Sequence, residues 1–337
     1  MRILIAGAGA IGGYIGARLA SVGADVTLFA RGAHLQAMRD RGLRVLGAEG
    51  DFGVQPRLTG DLEAVGRTDV IVLGVKAHGL PDLAPRLRPL FTDETVVVST
   101  QNGIPWWYFD RHGGELDGWR LESVDPGGII AGAIEPRRVL GSLAYFATEI
   151  VEPGVIRHVE GNRISLGEPQ GVRSDRCKAI AEALISAGFR CPITTRIRAE
   201  IWVKLLGNVA FNPISALTRA TLASMARHPQ VSRLARDVMA EATAVASKLG
   251  IELPITIDQR MAGAEKVGEH RTSMLQDLES GRRMELDAIV GAVIEIGERL
   301  GVPMPSTRAV YACASLLDVT VHQPRERHVT SVAETLP

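Results

Sequence analysis

Six residues near the start of this chain, Gly7-Ala8-Gly9-Ala10-Ile11-Gly12, constrain its fold more than any other feature. They follow an apolar run, residues 1–6, that reads as a buried parallel strand. They precede a helical pattern over about 11–21 that Gly23 closes, and a second strand at 25–29. A glycine turn between strand and helix is a phosphate cradle. Gly7 permits the tight turn, Gly9 lets the backbone approach a pyrophosphate, and Gly12 lets the helix pack on the strand. All six residues are expected to line a dinucleotide. Arg2 before an apolar stretch also suits a secretory leader, but glycines at 7, 9, 12, 13 and 16 serve a phosphate turn and not a leader.

The end of the second strand selects the dinucleotide. An NAD site commonly places Asp or Glu there for the ribose 2′-hydroxyl. Here the strand ends Leu28-Phe29-Ala30-Arg31-Gly32, and the nearby acid, Asp25, opens the strand instead. The Arg31 guanidinium suits a 2′-phosphate, so NADP is the expected cofactor. Further apolar runs at 70–75 and 95–99 alternate with helical stretches, which predicts a doubly wound parallel sheet. Ligands sit beyond the carboxyl ends of such strands. Lys76 closes one of these strands, and Asn102-Gly103 follows another; Asn102 is expected at the nicotinamide or substrate. Lys76 stands out because the chain has only five lysines among 38 basic residues. Where Arg is the default, a retained Lys is a candidate for work that needs a titrating or compact donor.

With 337 residues the chain is expected to form two domains, an α/β unit over 1–195 and an all-α unit over 196–337. Strand-like runs at 143–150, 155–159 and 164–166 and a helix at 175–187 complete the first. Helices are expected at 198–217, 229–249, 255–278, 282–300 and 306–318, with a frayed polar tail. Residues 104–137, with Trp106-Trp107-Tyr108-Phe109, read as an elaborated loop region. A net charge of zero gives no electrostatic case for nucleic acid or an anionic membrane. The three dispersed cysteines form neither a zinc pattern nor a disulfide framework, which suits the cytoplasm. No metal is expected.

In the second half, Lys204, Asn208 and Asn212 stand four residues apart on one ridge of a largely apolar helix, with Pro213 expected to bend the chain just beyond. Such polar groups cost about 1–3 kcal/mol each if buried unpaired, so they need one another, buried carbonyls or a polar ligand. Glu285, in Met284-Glu285-Leu286-Asp287, is by itself an ordinary helix residue.

Taken together, the glycine turn, Arg31, Val75-Lys76, Gln101-Asn102-Gly103, Lys204 with Asn208 and Asn212-Pro213, Ser273-Met274-Leu275-Gln276-Asp277 and Glu285 resemble the ketopantoate reductase (2-dehydropantoate 2-reductase) family. The match runs from residue 1 to about 317. The resemblance implies a Rossmann-type N-terminal domain with a C-terminal domain like that of 6-phosphogluconate dehydrogenase. It implies NADPH-dependent reduction of a 2-keto acid, with ketopantoate reduced to pantoate in pantothenate biosynthesis. Arg31 and Lys76 would face the cofactor and Lys204 would be the general acid. Asn102, Asn208, Asn212, Ser273 and Glu285 would orient the substrate, with Glu285 also helping to hold the lysine. A homodimer is compatible with it. Another 2-oxo acid as substrate, and a non-catalytic NADP sensor, are the alternatives. The 106–137 segment departs from the compact family pattern, either as part of the substrate pocket or as a surface elaboration or subunit contact.

Overall fold

The computed structural model describes residues 1–47 and 50–323; the expected frayed tail lies outside them. A nine-stranded sheet fills the first half in the order β4-β3-β9-β8-β7-β6-β1-β2-β5. Its strands are β1 (Ile3–Ala6), β2 (Val26–Phe29), β3 (Leu43–Gly47), β4 (Phe52–Val54), β5 (Arg57–Thr59), β6 (Val70–Leu73), β7 (Val96–Ser99), β8 (Val139–Glu152) and β9 (Val155–Gly167). From β5 to β8 every neighbouring pair is parallel, as the dinucleotide motif requires. The sheet as a whole is mixed, because β8 and β9 form a long antiparallel hairpin and β4 runs antiparallel to β3. The expected strands at 143–150, 155–159 and 164–166 are parts of this hairpin. The short strands β3, β4 and β5 carry too little apolar alternation to stand out in the sequence.

Helices α1 (Ala10–Ser21), α2 (Gly32–Arg41), α3 (Leu80–Leu87), α4 (Ile129–Ala133) and α5 (Asp175–Ser186) cover the sheet. One face packs Ile3, Ile5, Leu28 and Val72 against Ile15, Leu19, Ile180 and Leu184 from α1 and α5. The other face packs Leu4, Ile71 and Val97 into a core that continues without a break into the helical half.

The helical half comprises α6 (Ile197–Thr218), α7 (Leu222–Arg227), α8 (Pro229–Lys248), α9 (Ile257–Val267), α10 (Ser273–Glu279), α11 (Ala292–Arg299) and α12 (Pro305–His322). The helix expected at 255–278 is two helices. Gly268, at φ 84°, stops α9, and the Thr272 hydroxyl accepts from Leu275 N to start α10. The expected 282–300 helix begins later, with a π turn at Asp287–Gly291 leading into α11. The helix expected at 198–217 is α6, which carries Pro213 inside it and continues to Thr218. Among the described residues no helix is long and apolar enough to cross a membrane.

The aromatic run at the head of the 106–137 segment is core, whereas much of 111–129 is exposed, as in a surface elaboration. Trp106, Trp107, Tyr108 and Phe109 are all buried in the shared core. Trp202 Nε1 on α6 donates to the Tyr108 hydroxyl at 2.8 Å. The Arg198 guanidinium donates to the carbonyls of Tyr108 (2.7 Å), Asp110 (2.6 Å) and Pro169. Farther along, the Glu295 carboxylate accepts from Glu122 N and Ser123 N, both at 2.9 Å. The segment therefore fastens the sheet to the helices.

Candidate active site

Beyond the carboxyl ends of β1, β2, β6 and β7, the first part of the site is made of backbone. Gly7 has φ 114°, a conformation that favours glycine. A Cβ on Gly12 would collide with the Gly7 carbonyl and come within 3.0 Å of Gly74 Cα, so turn, helix and β6 meet backbone to backbone. Gly9 differs. A Cβ there would meet only the Gly74 carbonyl, at 3.8 Å. The protein's own packing does not require glycine at that position, whereas a group lying across the turn would. Gly9 caps α1 with no side-chain bond, and no acidic residue occupies the first turn. The N–H groups of Ala10 and Ile11 thus begin a helix end suited to an anion. These features fit a dinucleotide pyrophosphate.

Arg31 is exposed at the end of β2, where it precedes α2, and its guanidinium lies 5.2 Å from the centre of the Phe29 ring. Arg86, on α3, approaches the same ring at 5.6 Å. Neither makes an ion pair with a described residue. Asp25, at the opposite end of β2, pairs with Arg57.

The second part of the site forms where the two halves meet. Glu285 lies in the segment before the π turn, and its Oε1 accepts from Ala77 N at 3.0 Å, just past Lys76. Asn102 hydrogen-bonds the same carboxylate. Burial pushes the Glu285 carboxyl up from its ordinary value, against these hydrogen bonds and the nearby Lys76 charge. Lys76 forms an ion pair with Asp277 of α10, which Arg282 also approaches at 3.3 Å. Gly103, at φ 85°, brings its backbone so close to Ala288 that a Cβ would collide with that carbonyl, and Ile104 N donates to the same oxygen at 2.8 Å. Asn102 and Glu285 are brought together by this stitch.

Lys204 projects from α6 and donates from Nζ to the Ala144 carbonyl of β8 at 2.8 Å. Its ammonium lies 5.6 Å from the centre of the Tyr145 ring, on which Arg163 is stacked at 3.8 Å. Burial lowers its pKa to about 8; the Glu285 charge opposes that shift and the Arg260 charge adds to it. Asn208 is half-buried and makes no hydrogen bond to a described residue. Asn212 is buried, and its Nδ2 has no partner. The ridge is therefore not satisfied by itself, which argues for a polar ligand. Ser273 is exposed in the first turn of α10, which packs on α6, but its side chain makes no hydrogen bond to Lys204 or Glu285.

Three participants carry no signal in the sequence: Tyr145, Arg163 and Arg260. They reach the site only because the β8–β9 hairpin packs on α6 and the Arg260 side chain of α9 extends over Gly207, and spacing along the chain does not encode that. Among the described residues no group of three or more His, Cys, Asp or Glu side chains could hold a metal ion.

The family described as ketopantoate reductase PanE/ApbA matches residues 3–106, and its C-terminal counterpart matches residues 196–318. A 2-dehydropantoate 2-reductase of Mesorhizobium japonicum is 50% identical over 95% of this chain and 98% of its own length. One from Archaeoglobus fulgidus is 32% identical over 92% of this chain and 95% of its own. Among solved structures, a candidate ketopantoate reductase from Ralstonia solanacearum MolK2 superposes with a TM-score of 0.90 at 42% identity, covering 95% of this chain and 98% of that one.

Proposed function

The chain belongs to the ketopantoate reductase family, and from that membership we propose that it reduces 2-dehydropantoate to pantoate with NADPH, using Lys204 as the proton donor. The observation that carries this reading is Lys204 itself. It is a lysine whose pKa is brought to about 8 by burial, with the half-buried Glu285 carboxylate near it and the unsatisfied Asn212 amide along its ridge. A general acid works best when its pKa lies near the working pH, and burial moves a lysine there. An arginine could not serve, because its guanidinium does not give up a proton.

When bound, the nicotinamide supplies a hydride to the carbonyl carbon. The carbonyl π bond opens as the new C–H bond forms, leaving negative charge on oxygen. Lys204 gives that oxygen a proton and becomes a neutral amine, so a 2-keto acid becomes a 2-hydroxy acid. Glu285, fixed by Ala77 N and Asn102, keeps the ammonium charged against desolvation and is placed to accept from a substrate hydroxyl. Asn208 and Asn212 offer amides to the substrate. The glycine turn holds the pyrophosphate, and Arg31 takes the 2′-phosphate that separates NADPH from NADH. Lys76, tied to Asp277, borders the cofactor at the domain junction. A soluble cytoplasmic enzyme is the setting we propose.

The test is turnover of purified protein with NADPH and 2-dehydropantoate, compared with NADH and with other branched 2-oxo acids. Consumption of NADPH with 2-dehydropantoate is expected. Turnover of other 2-oxo acids alone would reassign the substrate, and binding of NADPH with no turnover of any of them would overturn the reductase reading.

A further inference from the structure

The mechanism above leaves Arg260 unused. Arg260 projects from α9 onto α6, and its guanidinium lies against the backbone of Gly207. A Cβ at 207 would collide with Nη2 and Nε of Arg260, so glycine at that position makes room for the guanidinium. Gly207 is one helical turn after Lys204 and directly precedes Asn208, so Arg260 flanks the polar ridge. Its Nε is buried and has no partner, and no hydrogen bond or ion pair joins the side chain to any described residue. Other partly buried cations have polar partners: Arg176 pairs with Glu168, Arg198 with three carbonyls and Lys76 with Asp277, although the Nε of Arg163 is unpartnered like that of Arg260. A half-buried cation with an orphaned Nε and no anion beside it is costly, and a second cation close by adds to that cost.

We propose that Arg260 is the carboxylate-binding residue of this site. It would take the carboxylate of the 2-oxo acid in its guanidinium fork while the adjacent carbonyl faces Lys204. The planar fork matches a carboxylate through two parallel hydrogen bonds, which also fixes the direction in which the neighbouring carbonyl points. The proposal rests on the reductase reading and adds to it the group that discriminates 2-oxo acids from neutral ketones. It has an electrostatic consequence. The charged and titratable groups around Lys204 are Glu285 before the π turn, Arg260 on α9, Tyr145 on β8, Arg163 on β9 and Glu200 on α6. Arg260 opposes the charged form of Lys204, so a carboxylate placed on Arg260 cancels that opposition. The proton donor then holds its proton more firmly once substrate is present.

The experiment compares 2-dehydropantoate with its primary amide in wild type, Arg260→Gln and Arg260→Lys. In Arg260→Gln, kcat/KM for the acid should fall about 10–100-fold, while the amide and the KM for NADPH stay within about twofold of wild type. The lysine variant should recover part of the loss on the acid. The alkaline limb of kcat/KM should move up in Arg260→Gln, because a like charge beside Lys204 is gone. Equal losses on acid and amide, or an unmoved limb, would overturn the assignment. If wild type reduces no 2-oxo acid, the reductase reading fails first. Calorimetric titration of pantoate into the NADP-loaded protein then decides the Arg260 assignment alone: weaker binding in Arg260→Gln supports it, and equal binding ends it.

Discussion

Lys204 sets the expectations at the scale of single residues. Lys204→Ala should lower kcat by about 10²–10⁴-fold with the fold intact, as loss of a general acid does; steady-state kinetics beside a circular dichroism spectrum checks both halves. With its pKa near 8, the reduction rate of wild type should decline as pH rises through about 8, since only the ammonium can give a proton. The same shift has a stability side. Burial makes the folded protein bind this proton less tightly than the unfolded chain, where the ordinary value is 10.5. Keeping Lys204 charged at neutral pH therefore costs stability, and that cost fades as pH climbs from about 8 toward 10.5. Lys204→Met should raise the melting temperature at pH 7, with a gain that shrinks above pH 8; a constant gain across that range would contradict the linkage. Arg31→Ala should raise the KM for NADPH at least tenfold and leave NADH nearly unchanged. Lys204 and Arg31 could be singled out from the sequence because each stands at a position where the motif restricts the chemistry. Arg260 could not, because in an arginine-rich chain only the seating of its guanidinium on Gly207 distinguishes it.

At the scale of elements, the parallel strands and α6 could be read from apolar runs and the 3.6-residue repeat. The breaks between elements could not. The chain between α9 and α10 is governed by Gly268 and the Thr272 cap, two ordinary residues in a pattern that otherwise reads as one helix. Pro213 removes a hydrogen bond within α6, and the apolar pattern over 198–217 already carried the helix past it, as packing in the core does to Thr218. The loop after β7 depends on Gly103. Gly103→Ala would set a side chain against the Ala288 carbonyl at a positive φ, and should destabilise the protein by about 2–4 kcal/mol while separating Asn102 from Glu285. Denaturant midpoints and kcat should both fall. A loss of stability with unchanged kcat would show that the stitch does not position Asn102.

For the whole molecule, the change from sheet to helices after α5 was legible in the composition, whereas the continuity of the core across it was not. Trp106 to Phe109 look like loop residues because turn-rich sequence surrounds them. Their burial depends on α6, which is distant in the chain. Arg198→Ala would free three carbonyls of the segment that joins the halves, and should lower the unfolding free energy by about 2–4 kcal/mol with little change in substrate preference. A shift of substrate range without loss of stability would return that segment to the pocket.

The buried aromatic run also bears on how the two halves can be handed on or rebuilt. A fragment ending before Ile197 would leave two tryptophans, a tyrosine and a phenylalanine facing water, and would aggregate instead of folding as a portable nucleotide-binding module. Any chimera that couples this glycine turn to a different helical partner must keep residues 104–137 with the partner they were shaped against. The boundary at which the motifs change is thus not a boundary at which the chain can be cut.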